Sequence, residues 1–179
     1  MVQDRYLSEC MDNKLDKTVE HVVKLLKQRN WTVSTAESCT GGLLSKSITS
    51  VAGASAVFEC GICTYSDRMK NKLLGVPDEI LKKYSAVSSQ TAEAMALGIH
   101  NVSEAEVCIS VTGIAGPDGG TDEKPVGTVY IGFYFNGRCF SRLPDLWNIE
   151  DKSRENIRKT ATAYAFRVVE ALLMEDFYE

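Results

Sequence analysis

The run Ala36-Glu37-Ser38-Cys39-Thr40-Gly41-Gly42 sets two candidate nucleophiles, a hydroxyl and a thiol, side by side. It lies between a strand pattern and a helix pattern. Hydroxyls and backbone N–H groups at a helix N-terminus suit an anion or a developing oxyanion. The two glycines allow a ligand to approach the backbone. The same residues serve equally as a helix cap, with Ser38 or Thr40 capping and Gly41-Gly42 turning. Either nucleophile needs a base, and the chain has only His21 and His100. These fall on the first helix and at the end of another, and no Gly-x-Ser-x-Gly elbow is present. A cysteine mechanism at Cys39 would want a histidine for its ion pair, and neither has a natural route there. For Ser38 the base that remains is a lysine. A neutral amine can take the hydroxyl proton and return it to the leaving group.

Lys70 closes the run Tyr65-Ser66-Asp67-Arg68-Met69-Lys70, where a strand ends and a helix starts. It is either a solvated surface lysine or one desolvated enough to act as a base near neutrality. The run Val111-Thr112-Gly113-Ile114-Ala115-Gly116-Pro117-Asp118-Gly119-Gly120 brings backbone close to a ligand, in the manner of loops that hold phosphate or sugar. Its spacings match neither a Walker loop nor a dinucleotide fingerprint. Arg154 and Arg158 are four apart, hence on one helical face, and suit a phosphate or carboxylate. The alternative is a solvated face shared with Glu150, Asp151 and Glu155. Cys60-Gly61-Ile62-Cys63 invites a metal or redox reading, but no second CxxC or paired histidines accompany it. We therefore expect core thiols there and no metal.

These groups need elements to position them. Leu15, Val19, Val22, Val23 and Leu26 form one stripe, predicting a helix over Lys14–Arg29 after a loose lead-in, residues 1–13. Trp31–Ala36 reads as a strand, Gly41–Ile48 as a short helix and Val57–Tyr65 as a buried strand. Asp67–Leu74 and Pro77–Tyr84 read as helices, with Pro77 in a first turn. Ser88–Ile99 follows as a helix with its cap signal at Ser89. Val107–Thr112 is a predicted strand, and Gly113–Val126 a loop. Thr128–Phe135 and Arg138–Arg142 form a hairpin about Asn136-Gly137. Ser153–Glu175 is the last helix. The alternation predicts one α/β domain, residues 14–179, with three α/β/α layers around a mixed sheet.

A chain of 179 residues suits one domain with a sizeable core. Its formal net charge of −4 argues against a nucleic-acid backbone binder, while leaving room for one local phosphate pocket. No stretch approaches the roughly 18 apolar residues of a membrane span. Residues 1–12 lack the apolar region of a secretory signal. Without an export signal, the six cysteines read as reduced thiols in a cytoplasmic protein. Nothing in the pattern decides against a homo-oligomer.

At several of these blocks the chain resembles the CinA C-terminal domain family, the stand-alone nicotinamide-mononucleotide amidases. The matching stretches are Thr35 to Gly42, Tyr65-Ser66 with Lys70, Leu73-Leu74-Gly75-Val76, Ala86-Val87-Ser88, Val111 to Pro117, Glu123 to Val129, and Ala161-Thr162-Ala163-Tyr164-Ala165. They are collinear and cover nearly everything from Lys14 onward. The resemblance implies hydrolysis of the carboxamide of nicotinamide mononucleotide (NMN) to nicotinic acid mononucleotide and ammonia, as part of NAD recycling. It implies a metal-free and cofactor-free serine amidohydrolase with Ser38 as nucleophile, Lys70 as base and Tyr65 in the catalytic group. It places Glu37, Cys39, Thr40, Gly41, Gly42, Thr112, Gly113, Gly116, Arg154 and Arg158 around the substrate. Amides near Ser38 and Gly41 are then expected to hold the oxyanion. Relatives usually carry a glycine just before the last helix, whereas this chain has Glu150-Asp151-Lys152-Ser153-Arg154. The nucleotide-pyrophosphatase domain of long CinA proteins has no counterpart in the sequence, so that activity is not expected. The rivals are a non-catalytic nucleotide-binding module and a cysteine amidase using Cys39.

Overall fold

The computed structural model describes residues 11–175. The apolar stripe read from the sequence lies on α1 (Met11–Arg29) and is buried from Val19 to Leu26. That helix begins three residues before the predicted Lys14; the rest of the predicted lead-in, residues 1–10, lies outside the described residues. There follow β1 (Val33–Glu37), α2 (Leu43–Thr49), a 3-10 turn (Ala54–Ala56), β2 (Phe58–Cys63), α3 (Asp67–Leu74), α4 (Asp78–Tyr84) and α5 (Ser89–Ser103). The chain continues with β3 (Val107–Gly113), β4 (Val129–Phe135), β5 (Arg138–Arg142), a 3-10 turn (Leu146–Asn148) and α6 (Arg154–Glu175).

The strands form one mixed sheet in the order β2-β1-β3-β4-β5. β1 pairs parallel with both β2 and β3, while β3-β4 and β4-β5 are antiparallel. The last pair turns at Asn136 (φ 43°) and Gly137 (φ 85°), the two positive φ values that a tight I′ hairpin demands. α1, α2 and α6 cover one face, against Val33, Val107, Ile109, Val111, Val129, Ile131, Phe133 and Phe135. α3, α4 and α5 cover the other, where Leu74, Leu81, Met95 and Ile99 meet Ala36 and Cys108. Odd and even strand positions thus feed two separate cores, giving the three-layer α/β/α arrangement. Each fully buried large apolar side chain contributes about 1.5–3 kcal/mol.

Three local expectations are corrected. α2 starts at Leu43 and not Gly41, because Gly41 (φ 60°) and Gly42 (φ 94°) hold left-handed backbone that no helix continues. α5 is capped by Ser88, whose Oγ accepts the Thr91 amide, and not by Ser89. β2 is an edge strand, so its side chains alternate between half-buried and exposed: Cys60 is half-buried and Cys63 exposed, and they are not paired core thiols. Gly132 shows why α5 sits so low on the sheet. A Cβ there would come within 2.2 Å of the Ala92 carbonyl oxygen.

Among the described residues no helix is long and apolar enough to cross a membrane.

Candidate active site

Parallel strands end on the same side of a sheet, and open α/β sheets bind ligands beyond those ends. β1 and β2 end in register, Glu37 beside Cys63. The next residues along, Ser38 and Thr64, therefore leave the sheet as neighbours. From Thr64 the chain passes Tyr65 and Ser66 into α3. The Ser66 hydroxyl caps that helix by accepting the Met69 amide at 3.3 Å. One turn in, Lys70 folds back beneath the strand ends. Its Nζ donates to the Thr64 carbonyl at 3.0 Å and lies 3.1 Å from Ser38 Oγ. The side chain is 1% exposed, and Ser38 is 8% exposed.

Burial without a paired carboxylate penalises the charged amine. Desolvation lowers the Lys70 pKa from its usual 10.5, against smaller opposing effects of Asp67 and Cys39. The neighbouring thiol behaves in the opposite sense. Burial pushes the Cys39 pKa up to about 12, although its own backbone N–H and the charges of Arg154, Lys70 and Arg158 pull the other way. At neutral pH Cys39 is a protonated thiol and a poor nucleophile.

Ser38 and Lys70 open into a cavity of about 280 Å³. Of the residues singled out in the sequence, Ser38, Cys39, Tyr65, Lys70, Thr112, Gly113, Gly116 and Arg154 line it together. Tyr65 is exposed, and its Oη accepts from Arg154 Nη2 at 2.8 Å. Arg154 Nη1 donates to the Gly116 carbonyl at 2.8 Å. Thr112, at the end of β3, donates its hydroxyl to the Ala86 carbonyl at 2.8 Å. Gly113 has backbone packed against its bare side: a Cβ would lie 2.6 Å from Thr128 O and Val129 Cα.

Glu37, Thr40, Gly41, Gly42 and Arg158 do not line the cavity. Glu37 is fully buried and points to the start of α2. Its carboxylate accepts the amides of Gly42 (2.9 Å), Leu44 (3.1 Å) and Ser45 (2.9 Å), and the Ser45 hydroxyl at 2.8 Å. The helix N-terminus that could have held a ligand's anion is thus filled by the chain's own carboxylate. Thr40 is buried, and its carbonyl receives Arg158. The expected oxyanion donors are also engaged: the Ser38 amide donates to Val111 O at 2.9 Å, and the Gly41 amide to Ser38 O at 3.1 Å. The pairing of β3 with β4 leaves the Gly113 amide facing β1. There it lies past the last β1 pair, Glu37 with Val111, and finds no ladder partner.

Ala86, Val87 and Asp118 also line the cavity without having been singled out as site residues. Ala86 and Val87 belong to a short apolar link between helices, which carries no chemical signal. Asp118 sits inside the glycine loop that did stand out. The absent glycine before α6 is replaced by a polar turn. Asp151 Oδ1 accepts the Ser153 amide at 2.8 Å, Asn156 Nδ2 donates to Asp151 O at 2.7 Å, and Ser153 Oγ accepts the Asn156 amide at 3.3 Å. The Ser153 amide, then its hydroxyl, holds the exposed Asp151 carboxyl below its usual range.

Known proteins share this architecture. The model of the CinA C-terminal domain matches residues 15–173. A nicotinamide-nucleotide amidohydrolase PncC from Enterobacter agglomerans is 50% identical over 122 residues, covering 68% of this chain and 74% of that relative. A CinA-like protein from Kosmotoga olearia is 47% identical over 155 residues, covering 87% of this chain and 37% of its own length. The chain spans little more than a third of such longer relatives. The crystal structure of the competence/damage inducible protein CihA from Agrobacterium tumefaciens superposes with a TM-score of 0.85 at 37% identity, covering 92% of this chain and 99% of the other. Sequence match and fold agree across nearly all the described residues: the chain belongs to the CinA C-terminal domain family.

Proposed function

We propose that this protein hydrolyses the carboxamide of nicotinamide mononucleotide, by a serine mechanism with a lysine base. The observation that carries the reading is a lysine amine, 1% exposed, 3.1 Å from a serine hydroxyl at the floor of a cavity. The likeness to a nicotinamide-nucleotide amidohydrolase supports the choice of substrate. Neutral Lys70 accepts the Ser38 proton as Oγ bonds to the amide carbon. The tetrahedral intermediate collapses, the C–N bond breaks, and Lys70 returns the proton to the departing nitrogen, which leaves as ammonia. Water, deprotonated by the same amine, then cleaves the ester, releasing the carboxylate product and restoring Ser38.

The Gly113 amide, which faces β1 past its last pair and borders the cavity, is assigned as a backbone donor to the oxyanion, a contribution typically worth about 3 kcal/mol. Thr112 presents hydroxyl lone pairs on the same wall. Arg154 uses one N–H on Gly116 and one on Tyr65, leaving three of its five for the nucleotide phosphate. Tyr65, on the cavity wall and held by Arg154, is assigned to orient the leaving group.

Purified protein incubated with NMN should release ammonia and nicotinic acid mononucleotide in equal amounts. Ser38→Ala and Lys70→Ala should each abolish release while keeping the fold by circular dichroism. Absence of turnover in well-folded wild-type protein would leave the non-catalytic binding module as the better account.

A further inference from the structure

We infer that Arg158 is a positioning residue for Ser38, holding the turn that carries it, and not a ligand of the substrate's phosphate. This rests on Ser38 being the nucleophile of the proposed reaction. The Ser38–Gly42 turn contains two glycines in left-handed backbone, Gly41 (φ 60°) and Gly42 (φ 94°), and glycine restrains its own conformation least. Its two ends are tied to residues of the sheet. The Ser38 amide is fixed to Val111 on β3, and the Gly42 amide to the Glu37 carboxylate. Its middle is tied from far along the chain. Arg158, 118 residues beyond Thr40, grips that residue's carbonyl with Nε at 3.2 Å and Nη2 at 2.6 Å. Thr40 itself is fully buried. The same Nη2 lies 3.4 Å from where a Gly41 Cβ would stand, so the guanidinium covers the side of the turn that glycine leaves bare.

The guanidinium is committed to the Thr40 carbonyl through two of its nitrogens. Arg154, one helical turn earlier on α6, lines the cavity, and Arg158 does not. The two arginines divide the labour of that face: the first closes on the glycine loop and Tyr65, the second on the nucleophile's turn. A guanidinium suits the second task because its planar fork fixes direction as well as distance, which a lysine ammonium does not.

The experiment compares wild type with Arg158→Met, Arg158→Lys and Arg158→Ala. Steady-state kinetics on NMN are run alongside the rate at which a fluorophosphonate probe, which carries no nucleotide, labels Ser38 per folded molecule. Displacing a nucleophile by an ångström costs on the order of 100-fold. Arg158→Met should therefore lose about 10- to 100-fold in kcat with KM within about threefold of wild type. Probe labelling should slow in parallel. Arg158→Lys should recover only part of the loss, and guanidinium at sub-denaturing concentration should restore part of the activity of Arg158→Ala. A rise in KM with kcat preserved would assign Arg158 to the phosphate and overturn the proposal, as would unchanged labelling of folded variant. Slowed labelling in a protein that does not hydrolyse NMN would leave the clamp standing and remove only the substrate assignment.

Discussion

At the residue scale, the proposed reaction turns on the buried amine of Lys70. Lys70 lacks an ion-pair partner among the described residues, and desolvation lowers its pKa below 10.5. Below that lowered value both folded and unfolded chains carry the charge, and the fold bears the full cost of burying it. Between the lowered value and 10.5 the folded chain has released the proton and the unfolded chain has not, so stability rises with pH across that window. Lys70→Met should consequently abolish activity yet raise Tm at neutral pH, and the gain should shrink as pH climbs through the window. A pH-independent Tm difference would contradict the assignment. The same titration should govern turnover, with kcat rising with pH to an inflection below 10.5. Ser38→Ala should cost at least roughly 1,000-fold in kcat, since the whole covalent route is lost. Cys39→Ala should keep most of it, because a thiol pushed up to about 12 offers almost no thiolate at pH 7. Loss of activity in that variant, with the fold intact by circular dichroism, would revive the cysteine mechanism.

At the scale of elements, the start of α2 and the seat of α5 are the joints on which the site depends. α2 is only seven residues long, too short to persist on its own propensity. The Glu37 carboxylate takes three of its N-terminal amides, doing internally what a ligand anion does elsewhere. Glu37→Ala leaves those donors buried and should cost about 2–4 kcal/mol in urea unfolding, with kcat falling as the Ser38 turn loosens. Gly132→Ala probes the other face. Its Cβ would stand 2.2 Å from Ala92 O, so α5 must lift off β4. The expected loss is about 2–3 kcal/mol, read from the shift in urea midpoint. Midpoints matching wild type would show the helix–sheet spacing to be more compliant than its geometry indicates.

At the scale of the whole molecule, both cores share one sheet, and the site lies where β1, β2 and β3 end beneath α6. The helix order, the hairpin at Asn136-Gly137 and the division into two faces were legible in the sequence, because apolar periodicity and turn chemistry are local properties of the chain. Ser38, Lys70 and the glycine loop, which line one cavity, stood out for a related reason: a hydroxyl before paired glycines, a lysine at a helix start and a glycine-rich loop differ chemically from their surroundings. Edge position was not legible. β2 reads as an apolar run, and only the strand order reveals that one side of it lacks a neighbour. Glu37 and Arg158 were expected around the substrate on similar grounds, and neither lines the cavity. A carboxylate beside a nucleophile and an arginine near a helix start have the composition of a binding site, yet both turn toward backbone. What the sequence alone determined was the inventory of reactive groups and the elements carrying them. Only the tertiary structure decided which groups face the cavity and which hold its walls, because that depends on side-chain direction after strands 20 or more residues apart have paired in register, Glu37 beside both Cys63 and Val111.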